Sequence, residues 1–182
     1  MRVVAGSARG RRLAAPKGDR TRPTSDRTRE AVFNSLMSLD AVRGAVVWDL
    51  WCGSGALGVE ALSRGAARAV FVDRDPAAVA VVRKNLESCG FPEGASVHRG
   101  DALAFVADHP EGADLVLADP PYEFDRWEEL TSALRCRWLV AESDRPVEPG
   151  ARFEVVRQRR YGRAWVTIAR ASDDAAAPSD AG

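Results

Sequence analysis

The tetrapeptide Asp119-Pro120-Pro121-Tyr122 sets a carboxylate, two prolines and an aromatic ring in direct succession. Two prolines fix φ and remove two backbone donors, which leaves a wall of acceptors. The Asp119 side chain and the Pro120 carbonyl are then placed to accept from one NH2 group. That pair suits an exocyclic amine whose lone pair is delocalised into a ring. Two acceptors hold the nitrogen and favour its pyramidal form as it attacks an activated methyl group. Tyr122 offers a face on which a base can stack, worth about 1–3 kcal/mol where such stacking has been tested. A base enters such a site only unpaired or flipped out. The plain alternative is a proline turn after a strand, with a surface tyrosine.

Upstream, Gly53-Ser54-Gly55-Ala56-Leu57-Gly58 fits G-x-G-x-x-G. It follows a buried strand and opens a helix, the setting that gives the motif meaning. The glycines allow a tight turn and close backbone approach to a ligand. Asp73 ends the next strand, where a carboxylate accepts both ribose hydroxyls of an adenosine. The motif alone does not separate NAD from S-adenosylmethionine. Its left flank helps, because a carboxylate such as Asp49 beside the NAD pyrophosphate would be repelled. Beside the amino-acid end of S-adenosylmethionine, the same carboxylate binds an ammonium directly or through water. S-adenosylmethionine is therefore the expected cofactor, and a NAD-binding Rossmann oxidoreductase is the competing reading. Asp101 stands where an adenine amine can be read, or else caps a helix beginning at Ala102. With these carboxylates in order before it, the tetrapeptide reads as a site rather than a turn.

The elements that must position these residues alternate. Strands are expected at 45–50, 69–73, 95–98, 114–118 and 138–141, and helices at 56–64, 76–89 and 126–136. Asp75 is the expected cap of the helix opening at Pro76. Two last strands, about 152–158 and 164–170, flank Arg160-Tyr161-Gly162 as a hairpin. The βαβ alternation implies an α/β, doubly wound, mostly parallel sheet, with at least one antiparallel edge strand from the closing hairpin. Residues 1–24 read as a basic arm, with two short strands at 3–5 and 12–14 about Gly6 to Gly10. Ser25 or Thr24 then caps a helix whose stripe is Val32, Phe33, Leu36 and Leu39. Residues 25–170 form the methyltransferase domain, and 171–182 read as a disordered tail.

The 182 residues fit one domain with one sizeable core. No window approaches a membrane span, and the N-terminus carries no long apolar run, so a cytoplasmic, membrane-free monomer is expected. Cys52, Cys89 and Cys136 form no Cys-x-x-Cys pair, which leaves three reduced thiols and no metal site. His98 and His109 show no partner arrangement. Net charge is zero, yet residues 1–30 hold nine basic against three acidic residues. A second basic cluster is Arg152, Arg157, Arg159, Arg160 and Arg163. Nearly all the cations are Arg, the side chain with a planar fork for phosphate. Arg9, Arg11 and Arg12 on the arm are candidate contacts to RNA phosphates. Charge reversal there is expected to weaken RNA binding and its salt dependence.

The segment Arg22-Pro23-Thr24-Ser25-Asp26-Arg27-Thr28-Arg29-Glu30-Ala31-Val32-Phe33-Asn34 resembles the RPT-x-DR-x-RE-x-x-FN signature of the RsmD family, the bacterial 16S rRNA guanine-966 N2 methyltransferases. The stretch Asp49 to Arg64, the Asp-Pro-Pro-Tyr motif and Arg160-Tyr161-Gly162 match that family in order and spacing. The resemblance implies a class I methyltransferase fold and S-adenosylmethionine as donor. It implies 16S rRNA in the small ribosomal subunit, or its assembly intermediate, as substrate. It also implies that Asp49, Gly53, Gly55, Asp73 and Asp101 line the cofactor site and that Asp119 and Tyr122 hold the base. Arg22, Thr24, Asp26 and Arg27 would close over the cofactor or touch RNA. The tetrapeptide itself leaves adenine N6 and glutamine N5 open as acceptors. The chain is too short for a DNA-recognition domain of the usual size, which disfavours DNA.

Overall fold

The structure, a computed structural model, describes residues 1–16 and 25–172. Its elements run α1 (Asp26–Ser38), β1 (Val46–Leu50), α2 (Ala56–Ser63), β2 (Arg68–Asp73), α3 (Pro76–Cys89), β3 (Ala95–Arg99), α4 (Ala102–Asp108), β4 (Ala113–Ala118), α5 (Trp127–Ala133), β5 (Cys136–Ser143), β6 (Phe153–Tyr161) and β7 (Ala164–Ala171). The sheet has seven strands in the order β3-β2-β1-β4-β5-β7-β6. Strands β1 to β5 pair in parallel, and β7 pairs antiparallel with both β5 and β6. The reversed strand β7 thus sits one place in from the edge, and β6 takes the edge. This is the α/β fold expected from the alternation.

Strand residues alternate between two apolar layers, as the pleat requires. One layer joins Val47, Phe71, Leu115, Leu117, Val140, Val166 and Ile168 to α1, α2, α3 and the first residues of the chain. The other joins Trp48, Leu50, Val116, Leu139 and Ala169 to α4 and α5. On this second face His109 stacks on Phe105 at 3.9 Å between ring centroids, and its Nδ1 lies 2.7 Å from the Phe105 carbonyl oxygen. Among the described residues no disulfide forms, and Cys52 and Cys89 are buried in the first layer.

Several boundaries differ from expectation: β5 extends two residues further at each end, and β6 runs on to Tyr161, so Gly162-Arg163 rather than Arg160-Tyr161-Gly162 makes the hairpin turn. The helix expected at 126–136 stops at Ala133, and Cys136 begins β5. Leu134 turns extended, and the Arg135 carbonyl accepts from Ala113 N–H at 2.9 Å, so pairing with β4 claims backbone that apolar spacing alone assigns to the helix. Ala171 closes β7 instead of opening a tail, and residues 173–182 lie outside the described residues. The arm forms one antiparallel bridge, Arg2 with Arg12, rather than two strands.

Several of the arm's backbone groups find side chains of the main domain. Val4 N–H and Ala5 N–H donate to the two Glu60 carboxylate oxygens at 2.8 and 3.1 Å, and Ala8 N–H donates to Ser63 Oγ at 3.0 Å. Ala14 exchanges two hydrogen bonds with the Asn85 side chain, at 2.8 and 3.0 Å. Glu60 is fully buried between Arg29 at 3.6 Å and Arg64 at 2.7 Å. Arg29, equally buried, also reaches Asp26 at 2.8 Å and donates to the Arg2 carbonyl. A buried charge of this kind is costly to strip of one partner. Glu60→Gln is expected to lower unfolding free energy by roughly 3 kcal/mol. Urea denaturation checks this, and a midpoint matching wild type would refute the clamp.

Candidate active site

The parallel strands β1 to β5 end at one edge of the sheet, and β1 and β4 are neighbours there. From β1 the strand order runs one way to β2 and β3, and from β4 the other way to β5. That reversal is the switch point where open α/β sheets bind ligands. The glycine loop leaves β1 at this point, and Asp119 follows directly on β4 beside it.

The loop is built around two carboxylates. Asp73 Oδ2 accepts from Gly53 N–H at 2.8 Å, and its Oδ1 accepts from Asp75 N–H at 2.9 Å. Each oxygen of a carboxylate offers two acceptor sites, so capacity remains for hydroxyl donors. Asp49 lies beneath the loop, 1% exposed, with Oδ2 accepting from Gly58 N–H at 2.8 Å. Burial raises its pKa to about 8; the Gly58 N–H pulls downward and the Asp73 charge adds to the rise. Gly58 has to lack a side chain, because a Cβ there would fall 2.3 Å from the Phe71 ring and 3.0 Å from Asp49 Oδ2. Gly55 enters α2 at φ 73°, the left-handed conformation for which glycine carries no penalty.

A cleft beside this loop is lined by Trp51, Val72, Asp73, Arg74, Gly100, Asp101 and Ala102. Asp101 serves both readings that the sequence left open. Its Oδ1 caps α4, accepting from Leu103 N–H at 3.0 Å and Ala104 N–H at 3.1 Å, while its exposed side chain lines the cleft.

In the tetrapeptide, Asp119 is half-buried, Pro120 is buried, and Tyr122 is 42% exposed. Phe124 N–H donates to the Pro121 carbonyl at 2.8 Å, which closes the turn. Trp51 holds φ 54°, a left-handed conformation unusual for a bulky residue. Its ring meets Phe124 edge-on at 4.9 Å, and Phe124 meets Trp127 at 5.1 Å. This aromatic chain ties the glycine loop to the turn after Tyr122.

Two positioning residues escape the motif reading. Asn85 Nδ2 donates to the Ser54 carbonyl at 2.8 Å as well as to Ala14, and so pins the arm to the glycine loop. Glu60 anchors the arm lower on α2. The arm descends from Met1, beside Ser54, to Ser7 and Ala8 at the far end of α2, then returns to Ala14. Arg9 and Arg11 therefore lie toward the edge opposite Asp119, and the structure does not bring them to the tetrapeptide. Arg12 is exposed and bridged to Arg2. Ser25, rather than Thr24, caps α1 by accepting from Thr28 N–H at 3.1 Å. Arg27 is exposed in the first turn of α1. Arg22 and Thr24 lie outside the described residues.

A protein-family model described as conserved hypothetical protein 95 matches residues 1–170. The chain is 38% identical to a putative rRNA methyltransferase, YlbH, of Bacillus subtilis (strain 168), over 92% of this chain and 97% of that protein. It is 37% identical to ribosomal RNA small subunit methyltransferase D of Escherichia coli (strain K12), over 79% of this chain and 71% of that protein. Among solved structures it resembles the putative methyltransferase yhhF from Escherichia coli, with a TM-score of 0.81 and 30% identity over 94% of this chain and 98% of that one. The matched span takes in the arm, the glycine loop, the tetrapeptide and the closing hairpin together, and on that ground the chain belongs to the conserved hypothetical protein 95 family, the RsmD family of methyltransferases.

Proposed function

We propose that this protein methylates the exocyclic N2 amine of a guanine in 16S rRNA of the small ribosomal subunit or its assembly intermediate. The observation that carries the reading is the meeting of Asp119-Pro120-Pro121-Tyr122 with the Asp49/Asp73 glycine loop at the β1/β4 switch point. S-adenosylmethionine is the donor and supplies a methyl group activated on a sulfonium. The residues fit that molecule. Asp73 and the adjoining cleft suit a ribose and a base, and Asp49, buried beneath the glycine loop, would meet the ammonium in its ionised form.

The chain's own part is to hold and orient. Tyr122 stacks on the extruded base. The Asp119 carboxylate and the Pro120 carbonyl accept from the two amine hydrogens, aligning the nitrogen lone pair with the methyl carbon. As the new N–C bond forms and the methyl–sulfur bond breaks to leave a neutral thioether, positive charge grows on the nitrogen; the Asp119 carboxylate would stabilise that charge, and the surplus amine proton passes to solvent. Arg22, Thr24 and Arg27 belong to the segment proposed to close over this site. Arg9, Arg11 and Arg12 are proposed to meet RNA away from the target base. The choice of guanine N2 over adenine N6 or glutamine N5 rests on the family to which the chain belongs.

Calorimetry with S-adenosylhomocysteine and NADH separates this reading from an oxidoreductase. Binding of S-adenosylhomocysteine without binding of NADH is expected, and tight NADH binding would overturn the methyltransferase reading.

A further inference from the structure

We infer that the groove between α1 and the edge strand β6 carries the phosphodiester backbone of the RNA substrate toward Asp119. The inference rests on the RNA-methyltransferase reading above and gives it a surface. β6 runs in the same sense as β1 to β5, because β7 is antiparallel to both of its neighbours. The β6–β7 turn, Gly162-Arg163, therefore emerges at the edge where Asp119 stands. Ser143, the last residue of β5, pairs with Trp165 just beyond that turn, which fixes the same alignment.

Arg157, Arg159 and Tyr161 line the groove from β6, and Val32 and Ser35 line it from α1. Val166 and Ile168 form its floor. Same-face residues of a strand recur every two positions, about 7 Å apart. The two guanidinium groups and the Tyr161 ring thus form a ladder climbing to the catalytic edge. On α1, Arg27, Ala31 and Ser35 are spaced four apart and share one face. Ser35 marks that face as the groove wall, since its Oγ accepts from Arg157 Nη1 at 2.9 Å. Exposed Arg27 lies two turns nearer the N-terminus of α1.

The ion pairs of the described residues leave this set alone. Asp26 and Glu60 are taken by Arg2, Arg29 and Arg64, and Glu154 by Arg170. Arg27, Arg157, Arg159, Arg160 and Arg163 join none of them. The bulge between Val155 and Arg157 breaks the edge of β6 just below the ladder, so a further strand cannot add along its whole length. Cations in register, an apolar floor and an aromatic ring near the top suit a single-stranded polyanion with bases to stack.

The test uses the full chain and a short unstructured single-stranded RNA as probe, with binding followed by fluorescence anisotropy across a salt series. Arg157→Glu/Arg159→Glu is expected to weaken binding about tenfold at low salt. It should also flatten the slope of log affinity against log salt by about 1.4, the release of two phosphate contacts on a single strand. The control Arg43→Glu/Arg68→Glu makes the same charge change at the opposite edge and is expected to leave that slope at the wild-type value. Binding of S-adenosylhomocysteine reports folding. Should the Glu pair misfold, Arg157→Gln/Arg159→Gln carries the test with the same expected flattening. Equal slopes in wild type and groove variant, or no salt-dependent binding by wild type, overturn the groove. Methyl transfer to small subunits is measured on wild type alongside. Its absence would sink the function proposed above, while the anisotropy result still decides the groove.

Discussion

Asp119→Ala is expected to lower methyl transfer to small subunits roughly a thousandfold, a loss of the size seen when one preorganised group is removed from a developing charge. Binding of S-adenosylhomocysteine should stay at the wild-type value. The two effects separate because the residues divide by strand. Asp119 follows β4, whereas Asp49, Gly53 and Asp73 belong to β1, its loop and β2. Removing the carboxylate leaves the target amine with one acceptor, so the nitrogen is held less firmly and its growing charge loses its counter-ion. Asp119→Asn keeps one acceptor oxygen and should fall between the two. Steady-state methylation with calorimetry on the same preparations checks the pattern. Near-wild-type turnover in Asp119→Ala would place the chemistry elsewhere.

Asp49→Asn is expected to make the unliganded protein more stable and a poorer binder of the cofactor. The Asp49 carboxyl is buried, and burial raises its pKa from 3.8 to about 8. Between those values the folded state holds a proton that the unfolded state has released. Folding stability from this group is therefore complete below about pH 4 and is lost as pH rises through 8. Asparagine carries no proton to lose and still accepts from Gly58 N–H. The melting temperature of Asp49→Asn should match wild type in acid and exceed it by a widening margin toward pH 8.

Cofactor affinity should move oppositely. An ammonium requires the ionised carboxylate, so wild-type affinity for S-adenosylhomocysteine should climb with pH, by up to about tenfold per unit, as Asp49 approaches its pKa. The variant should bind roughly 10- to 100-fold more weakly at pH 8, the loss of one charge-assisted contact, with little pH dependence below it. Scanning calorimetry and titration calorimetry over one pH series read both halves. Equal affinity in the variant would remove Asp49 from the cofactor site.

Segments whose signals are local were legible in the residues. The helix α3 runs from Pro76 to Cys89, as the sequence implies, because Asp75 and Pro76 start it and Gly90, at φ 82°, stops it. The glycine loop and its two carboxylates were legible for the same reason, since motif and spacing lie within one βαβ unit. The helix after the tetrapeptide was read too long. Trp127, Leu130 and Leu134 keep helical spacing, but pairing of Ala113 with Arg135 competes for the last turn.

The arm shows the other limit. Its turn glycines and its charge are visible in the chain, but not its path. That path depends on Glu60 and Asn85, more than fifty residues away. Glu60 left a trace, as a lone polar residue within the apolar run Val59–Leu62, whereas Asn85 follows Arg83 and Lys84 and left none. Burial among apolar neighbours demands partners, and the arm's backbone supplies them. The basic cluster on β6 was visible as charge, yet only the strand order aligns its C-terminal end with the edge that carries Asp119 rather than the opposite one. Arg9 and Arg11 carry the same charge and lie toward that opposite edge.

Mass spectrometry of nucleosides released from small subunits, taken from a strain lacking the enzyme and treated with this protein and labelled S-adenosylmethionine, tests the central claim most directly. Label in N2-methylguanosine at one position of 16S rRNA is the expected result. Label in N6-methyladenosine, or in protein with none in RNA, would contradict it.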